Sequence, residues 1–187
     1  MKGGNKGVAA KQLELLYVAS LSALAIVLKF RFFEIPYPPA PFLKYDVSGI
    51  PLALIAFISV KNTVPALAVY YMVHVLIGAD PIGMAMKCLA EASTFIPLTT
   101  LYKLKSSRAL AAASAVIART LIMVVANYLI TPYWLILARW ASTFEDAYTK
   151  TLAYLPHVAL FNATLALVVA PLTLITYGIL KKARYLA

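Results

Sequence analysis

Cysteine and histidine are almost absent from this chain. It has one cysteine, Cys88, and two histidines, His74 and His157. A single cysteine excludes an internal disulfide framework and a zinc site built from several thiolates. Because the two histidines stand far apart in the sequence, we expect no metal site and no bound cofactor.

Charged residues are also scarce. They make up 13% of the 187 residues, whereas hydrophobic residues make up 63%. Soluble domains usually carry about 25% charged and about 45–50% apolar residues. The composition therefore excludes an ordinary water-exposed surface. It predicts a protein of the cell membrane, with one transmembrane domain over residues 1–187.

The motifs of common catalytic sites are missing as well. The chain has no GxxxxGK(S/T) phosphate-binding loop, no HExxH zinc motif and no GxSxG nucleophile motif. We therefore expect that the protein is not an enzyme. Two alternatives stay open at this point: a small membrane-embedded enzyme that uses Glu91 and His74 in acid–base chemistry, and a stand-alone channel or carrier.

Positive charge, in contrast, is in excess. The net charge of +10 would suggest nucleic acid as a partner of a soluble domain. Most of the basic residues, however, stand in short clusters between apolar runs, as expected for a membrane protein. We predict the lipid bilayer as a partner, and no nucleic acid.

Six apolar segments are predicted to be transmembrane helices: 13–30, 49–60, 63–77, 84–102, 109–130 and 156–180. An outer loop, 31–48, contains four prolines that exclude a regular helix. The outer segment 131–155 holds both tryptophans and is predicted to be a partly helical cap at the membrane interface. Helices two and three are short. They are either shielded by their neighbours or one long hairpin element, and the cost of placing Lys61 at mid-membrane favours shielding.

The distribution of lysine and arginine predicts the orientation. With a cytoplasmic start, the inner segments hold ten of these residues: Lys2, Lys6, Lys11, Lys61, Lys103, Lys105, Arg108, Lys181, Lys182 and Arg184. The outer segments hold six: Lys29, Arg31, Lys44, Lys87, Arg139 and Lys150. We therefore predict an all-α bundle of six transmembrane helices with both termini in the cytoplasm.

Several polar residues fall inside the predicted helices, where lipid makes them costly. They are His74, Glu91, Arg119, Asn127 and Asn162. All but Arg119 fall in the outer half of the bundle, which favours a polar pocket that opens outward. The alternative is a set of interhelical hydrogen bonds with a buried Glu91–Arg119 pair.

Five stretches resemble the riboflavin-type S components of energy-coupling factor (ECF) transporters. Residues 41–51, PFLKYDVSGIP, resemble the family's loop signature P-x-F-L-K-x-D-x-S-D-x-P. Residues 90–95, 125–128 and 161–162 follow in the same order as the family's G-E-L-A-N-F, A-N-Y-F and P-F-N-x-x-K runs. Ala19 and Ala23 resemble the A-x-x-x-A face by which S components dock. The resemblance covers about 15–182.

This resemblance implies a vitamin-binding subunit of an ATP-driven uptake transporter, for riboflavin or a related flavin, with another vitamin as the alternative. Its partners would be a transmembrane scaffold subunit and two cytoplasmic ATPase subunits. The substrate-binding residues would be Phe42, Lys44, Tyr45, Tyr71, His74, Glu91, Asn127 and Asn162. Leu43 and Asp46 would belong to a gating loop, and Ala19 and Ala23 would dock the scaffold.

The sequence also departs from the family pattern. Gly49 stands where the family has an acid, and Leu165 stands where it has a lysine. The third helix reads VYYMV at 69–73 instead of an E-L-I-K-N run. Tyr70, Tyr71 and His74 would then offer stacking surfaces for a flat ring.

Overall fold

A computed structural model describes the backbone of residues 4–183 and the side chains of residues 11–183. Six α-helices form within this range: α1 (Gly4–Leu28), α2 (Gly49–Ile58), α3 (Val60–Leu76), α4 (Pro81–Lys103), α5 (Arg108–Leu137) and α6 (Phe144–Lys182). Lys2, the side chain of Lys6, and Arg184, all used in the charge count, lie outside the described residues.

Helix α2 is the centre of the bundle. Eight of its ten residues are buried, and it packs against α1, α3, α4 and α6. Its ten residues rise only about 15 Å, too little to cross a bilayer alone. Helix α2 can stay short because its neighbours, and not lipid, surround it.

The break between α2 and α3 falls at Ser59, earlier than the predicted break at Lys61. Ser59 is extended, with φ −152° and ψ 100°, and its backbone N–H donates to the carbonyl of Ile55. The side chains of Asn62 and Thr63 donate hydrogen bonds to Ser59 across the first turn of α3. Lys61 and Asn62 therefore lie in the first turn of α3.

The prediction of a separate outer cap over 131–155 was wrong. Helix α5 continues to Leu137, and α6 begins at Phe144, so only a short turn separates them. Pro132 lies inside α5 and Pro156 inside α6. The Thr143 side chain accepts a hydrogen bond from the N–H of Asp146 and fixes the start of α6.

The outer loop is ordered and folds back on the bundle. A 3₁₀ turn (Arg31–Phe33) leads into β1 (Ile35–Pro36), which pairs antiparallel with β2 (Lys44–Tyr45). The intervening turn is closed by hydrogen bonds from the N–H of Tyr37 to the Leu43 carbonyl and from the N–H of Leu43 to the Ala40 carbonyl. The four prolines of segment 31–48 thus lie in this compact hairpin.

Within the part of the chain that the structure describes, three helices contain segments long and apolar enough to cross a membrane: Lys11–Leu28, Arg108–Leu137 and Phe144–Lys182. The fourth helix contains Lys87 and Glu91, which lower its hydropathy. Two hydrogen bonds show which helix ends lie near one another. The Lys103 amine reaches the Ala56 carbonyl at one end of the bundle, and the Trp134 indole N–H reaches Asp80 at the other.

Candidate functional site

Aromatic side chains fix the loop over the ends of α5 and α6. The Phe42 ring lies 5.1 Å from the ring of Tyr154 and 5.9 Å from that of Trp134. The Tyr45 ring lies 4.7 Å from that of Phe161, and its hydroxyl is 2.8 Å from the Thr164 hydroxyl. The predicted ligand residues Phe42 and Tyr45 therefore line the underside of the loop.

Leu43, near the loop tip, contacts three helices. It packs against the buried cluster Ala90, Met123 and Val158, which come from α4, α5 and α6. One loop residue thus closes the space where three helices meet. This position agrees with the predicted gating role of Leu43, which remains a prediction.

Lys44 is held at the rim by an ion pair. Its amine lies 2.7 Å from Glu34, which also pairs with Lys29. Burial raises the pKa of Glu34, but hydrogen bonds from Lys29 and Lys44 outweigh that effect and leave it below its usual value. Lys44 therefore contacts the start of the loop and not the buried polar groups described next.

Four charged side chains form a buried network beneath the loop, which we call the charge network: Asp46, Lys87, Glu91 and Arg119. The Lys87 amine lies 2.9 Å from Asp46 and 2.7 Å from Glu91. The Arg119 guanidinium lies 3.2 Å from Glu91. Two acids and two bases cancel, so the charges compensate one another without a bound ion.

Hydrogen bonds complete the network at both ends. Arg119 donates to the Asn162 side-chain oxygen at 3.1 Å and to the Thr94 hydroxyl at 3.0 Å. At the other end, Asp46 accepts from the backbone N–H and hydroxyl of Ser48, and the Ser48 hydroxyl lies 2.9 Å from that of Tyr70. The network therefore joins the loop to α3, α4, α5 and α6.

Asp46 is the loop's contribution to this network. Burial raises the pKa of Asp46, but Lys87 and the Ser48 hydroxyl outweigh that effect and leave it below its usual value of 3.8. Asp46 is therefore charged at neutral pH although only 3% of its surface is exposed.

Asn127 is buried outside the network. Its amide nitrogen donates to the Met123 carbonyl at 2.8 Å, and its oxygen accepts from Thr131 at 3.0 Å. Asn162 similarly donates to the carbonyl of Val158. The two asparagines thus bond to Met123 and Val158, which pack together under Leu43.

Tyr71 and His74 lie on α3, apart from the charge network. Tyr71 lines a mainly apolar cavity of about 400 Å³ together with Met86 and Ile130. The His74 ring packs 4.8 Å from the ring of Tyr70, and its Nε2 has no hydrogen-bond partner among the described side chains. Their predicted stacking on a ligand remains a prediction.

Sequence reasoning missed Lys87, which it counted as an outer surface charge. The missed signal was its spacing: Lys87 stands four residues before Glu91 on an otherwise apolar helix, where opposite charges meet on one face. The Glu91–Arg119 pair, considered above as the alternative to a pocket, is present. It belongs to the same polar region as Asn162.

Ala19 and Ala23 are exposed on α1. Neighbouring Leu16, Leu24 and Val27 are also more than 40% exposed. This face of α1 therefore does not pack inside the bundle, although its predicted docking role is untested. No group of three or more His, Cys, Asp or Glu side chains that could hold a metal occurs among residues 11–183.

Comparison with solved structures places this architecture. The chain superposes on the S component of a bacterial ECF transporter with a TM-score of 0.73, covering 92% of this chain and 97% of the other, at 24% sequence identity. The chain has the S-component fold. Together with its three long apolar helices, this fold makes it a multi-pass membrane protein.

Sequence comparison gives a second relative. Over 109 residues the chain is 34% identical to the riboflavin transporter RibU of Staphylococcus aureus (strain TCH60). The matched region spans 57% of this chain and 57% of the relative, a little over half of each. No family model matches the chain.

Proposed function

We propose that this protein is the riboflavin-binding subunit of an ECF-type uptake transporter. The observation that carries the proposal is the S-component fold over 92% of the chain, together with a relative that is a riboflavin transporter. The proteins found by both comparisons are transporter components, which favours transport over the membrane-embedded enzyme considered above.

The chemistry of the site supports a flat, polar ligand. Phe42 and Tyr45 present aromatic faces under the loop, and Asn127 and Asn162 present amides from α5 and α6. Amide donors and acceptors near aromatic surfaces suit the edge and the face of a flavin ring. Because the charge network is neutral, the site matches a ligand without net charge.

Leu43 and Asp46 act as the gate in this proposal. Leu43 fills the space beside Met123 and Val158, and Asp46 is paired with Lys87. Entry of a vitamin requires the loop to lift, which withdraws Leu43 from the three helices. The conformation described here is then the closed one.

The departures at Gly49 and Leu165 are explained by packing in this chain. A Cβ atom at Gly49 would overlap the Glu91 carboxylate and lie 3.2 Å from Val169. Leu165 is 3% exposed and packs in the cluster that contains Phe161 and Tyr45. The Glu91 carboxylate therefore occupies the space that a side chain at position 49 would need.

The proposed topology has six membrane segments with both termini in the cytoplasm, α2 and α3 crossing only within the bundle. The partners would be a transmembrane scaffold subunit and two cytoplasmic ATPases. The exposed face around Ala19 and Ala23 is the proposed scaffold contact, since small residues four apart allow close helix approach.

The direct test is riboflavin binding by the purified full chain, measured by quenching of flavin fluorescence. We expect Asn127→Ala to weaken binding by about 1–3 kcal/mol, the cost of an unpaired buried polar group. Asn62→Ala is the matched control, because Asn62 bonds Glu14 and Ser59 at the other end of the bundle. Failure of the native chain to bind riboflavin at micromolar concentration would remove this vitamin; binding of another vitamin would keep the S-component proposal.

The partner proposal is tested by uptake in cells that carry the scaffold and ATPase subunits. We expect the double substitution Ala19→Leu and Ala23→Leu to preserve riboflavin binding and to abolish uptake. Ala109→Leu with Ala113→Leu is the control, because these alanines are also exposed and four apart on α5. Uptake in cells without the ATPase subunits would instead support the stand-alone carrier.

A further inference from the structure

A second cavity lies at the end of the bundle opposite the outer loop, where α4 and α6 end. It is an open cavity of about 550 Å³ between the α4–α5 turn and the end of α6. Four cationic side chains line it: Lys103, Lys105, Arg108 and Lys181. None of them forms an ion pair with an acidic side chain among residues 11–183.

The backbone of the α4–α5 turn adds to the positive electrostatic potential of the cavity. Lys105 adopts a left-handed conformation with φ 60°, which turns the chain sharply after α4. Helix α5 then begins at Arg108 with Ser107 as its cap, so the positive end of the helix dipole lies at the cavity. Ser106 and Ser107 also line the cavity and carry hydroxyl donors.

Exposed apolar side chains stand within two positions of lining residues in the sequence. Leu104 is 70% exposed, Leu110 55% and Ile179 62%. A soluble anion gains nothing from such apolar neighbours, whereas a lipid places its phosphate among cations and its acyl chains on apolar groups. The two surfaces together match the two ends of one amphipathic molecule.

We infer that this cavity binds the phosphate headgroup of an anionic phospholipid. Arg108 contributes a fork-shaped donor set that suits phosphate oxygens, and the three lysines add point charges. Its guanidinium crosses α6 at Gly178, where Nη2 lies 3.9 Å from the position a Cβ would occupy. A Cβ there would make only ordinary van der Waals contact, whereas a large side chain would displace the guanidinium.

The test is native mass spectrometry of the full chain with phosphatidylglycerol, phosphatidylcholine or inorganic phosphate. We expect retention of phosphatidylglycerol in preference to phosphatidylcholine. The triple variant Lys105→Gln, Arg108→Gln and Lys181→Gln should lower that retention at least tenfold. The control triple, Lys11→Gln, Lys61→Gln and Lys182→Gln, loses the same charge from exposed positions outside the cavity lining and should retain the lipid.

Three results would overturn the assignment. Equal retention of both lipids would mean that the cavity does not recognise the charge of the headgroup. Equal loss in the two triple variants would assign retention to overall surface charge. Displacement of phosphatidylglycerol by millimolar inorganic phosphate would make the cavity a free-phosphate site.

Gly178→Leu, which changes no charge, should also lower retention of phosphatidylglycerol by displacing Arg108. Unchanged retention in this variant would contradict the proposed role of Arg108.

Discussion

The charge network predicts a specific energetic coupling between Asp46 and Lys87. Their charged atoms lie 2.9 Å apart, with side-chain exposures of 1% and 12%. At this separation the attraction is about 6 kcal/mol in an effective dielectric constant of about 20. Desolvation offsets part of it, but removing one member of a buried pair costs about 3–5 kcal/mol because the other charge is left uncompensated.

We therefore expect Lys87→Met to lower the free energy of unfolding by about 3–5 kcal/mol. Asp46→Asn should cost less, because Lys87 keeps Glu91 as a partner. The loss in free energy of unfolding of the double variant should be about 2 kcal/mol smaller than the sum of the two single losses, within the usual range for coupled contacts.

The assay is equilibrium unfolding in mixed detergent micelles at neutral pH, followed by circular dichroism. Lys44→Met is the control, because Lys44 forms its ion pair at a partly exposed site and its loss should cost about 1 kcal/mol or less. Strictly additive losses, or a Lys87→Met variant as stable as the control, would refute the argument.

The remaining predictions concern pH and packing. Because the pKa of Asp46 is lower in the folded protein than in the unfolded chain, its stabilising effect is present above pH 3.8 and is lost as the pH falls through the lowered value. Unfolding measured between pH 7 and pH 3 should show this loss in the native chain and a smaller one in Asp46→Asn; identical profiles would contradict the assignment. Gly49→Ala should lower the unfolding midpoint, since its Cβ would overlap Glu91, whereas Gly178→Ala should not. Equal midpoints for the two alanine variants would show that Glu91 moves aside.

Hydropathy and proline positions predicted much of the fold. The apolar segments gave all six helices, and the prolines of 31–48 gave the loop. The predicted bounds failed over 131–155, where α5 continues through Pro132 and α6 begins before Pro156. Proline is tolerated inside such helices because neighbouring helices satisfy the freed backbone groups in a membrane protein. Sequence alone does not show which prolines have such neighbours.

The site was predicted in part for a similar reason. Asp46, Glu91 and Asn162 were identified as functional candidates, and the structure brings them into one region. Lys87 was missed because a lysine near the start of a helix is usually a surface residue. Its buried partner, Asp46, lies on a distant loop. Asp46 and Lys87 are 41 positions apart, and no local pattern connects them.

The neutrality of the charge network has an electrical consequence. Moving one elementary charge across the membrane changes its energy by about 2.3 kcal/mol for each 100 mV of membrane potential. The positive charges of Lys87 and Arg119 are balanced by Asp46 and Glu91 within a few ångströms. If this region turns within the bilayer during transport, the network moves no net charge through the field. The movement of these four side chains would then be insensitive to the membrane potential.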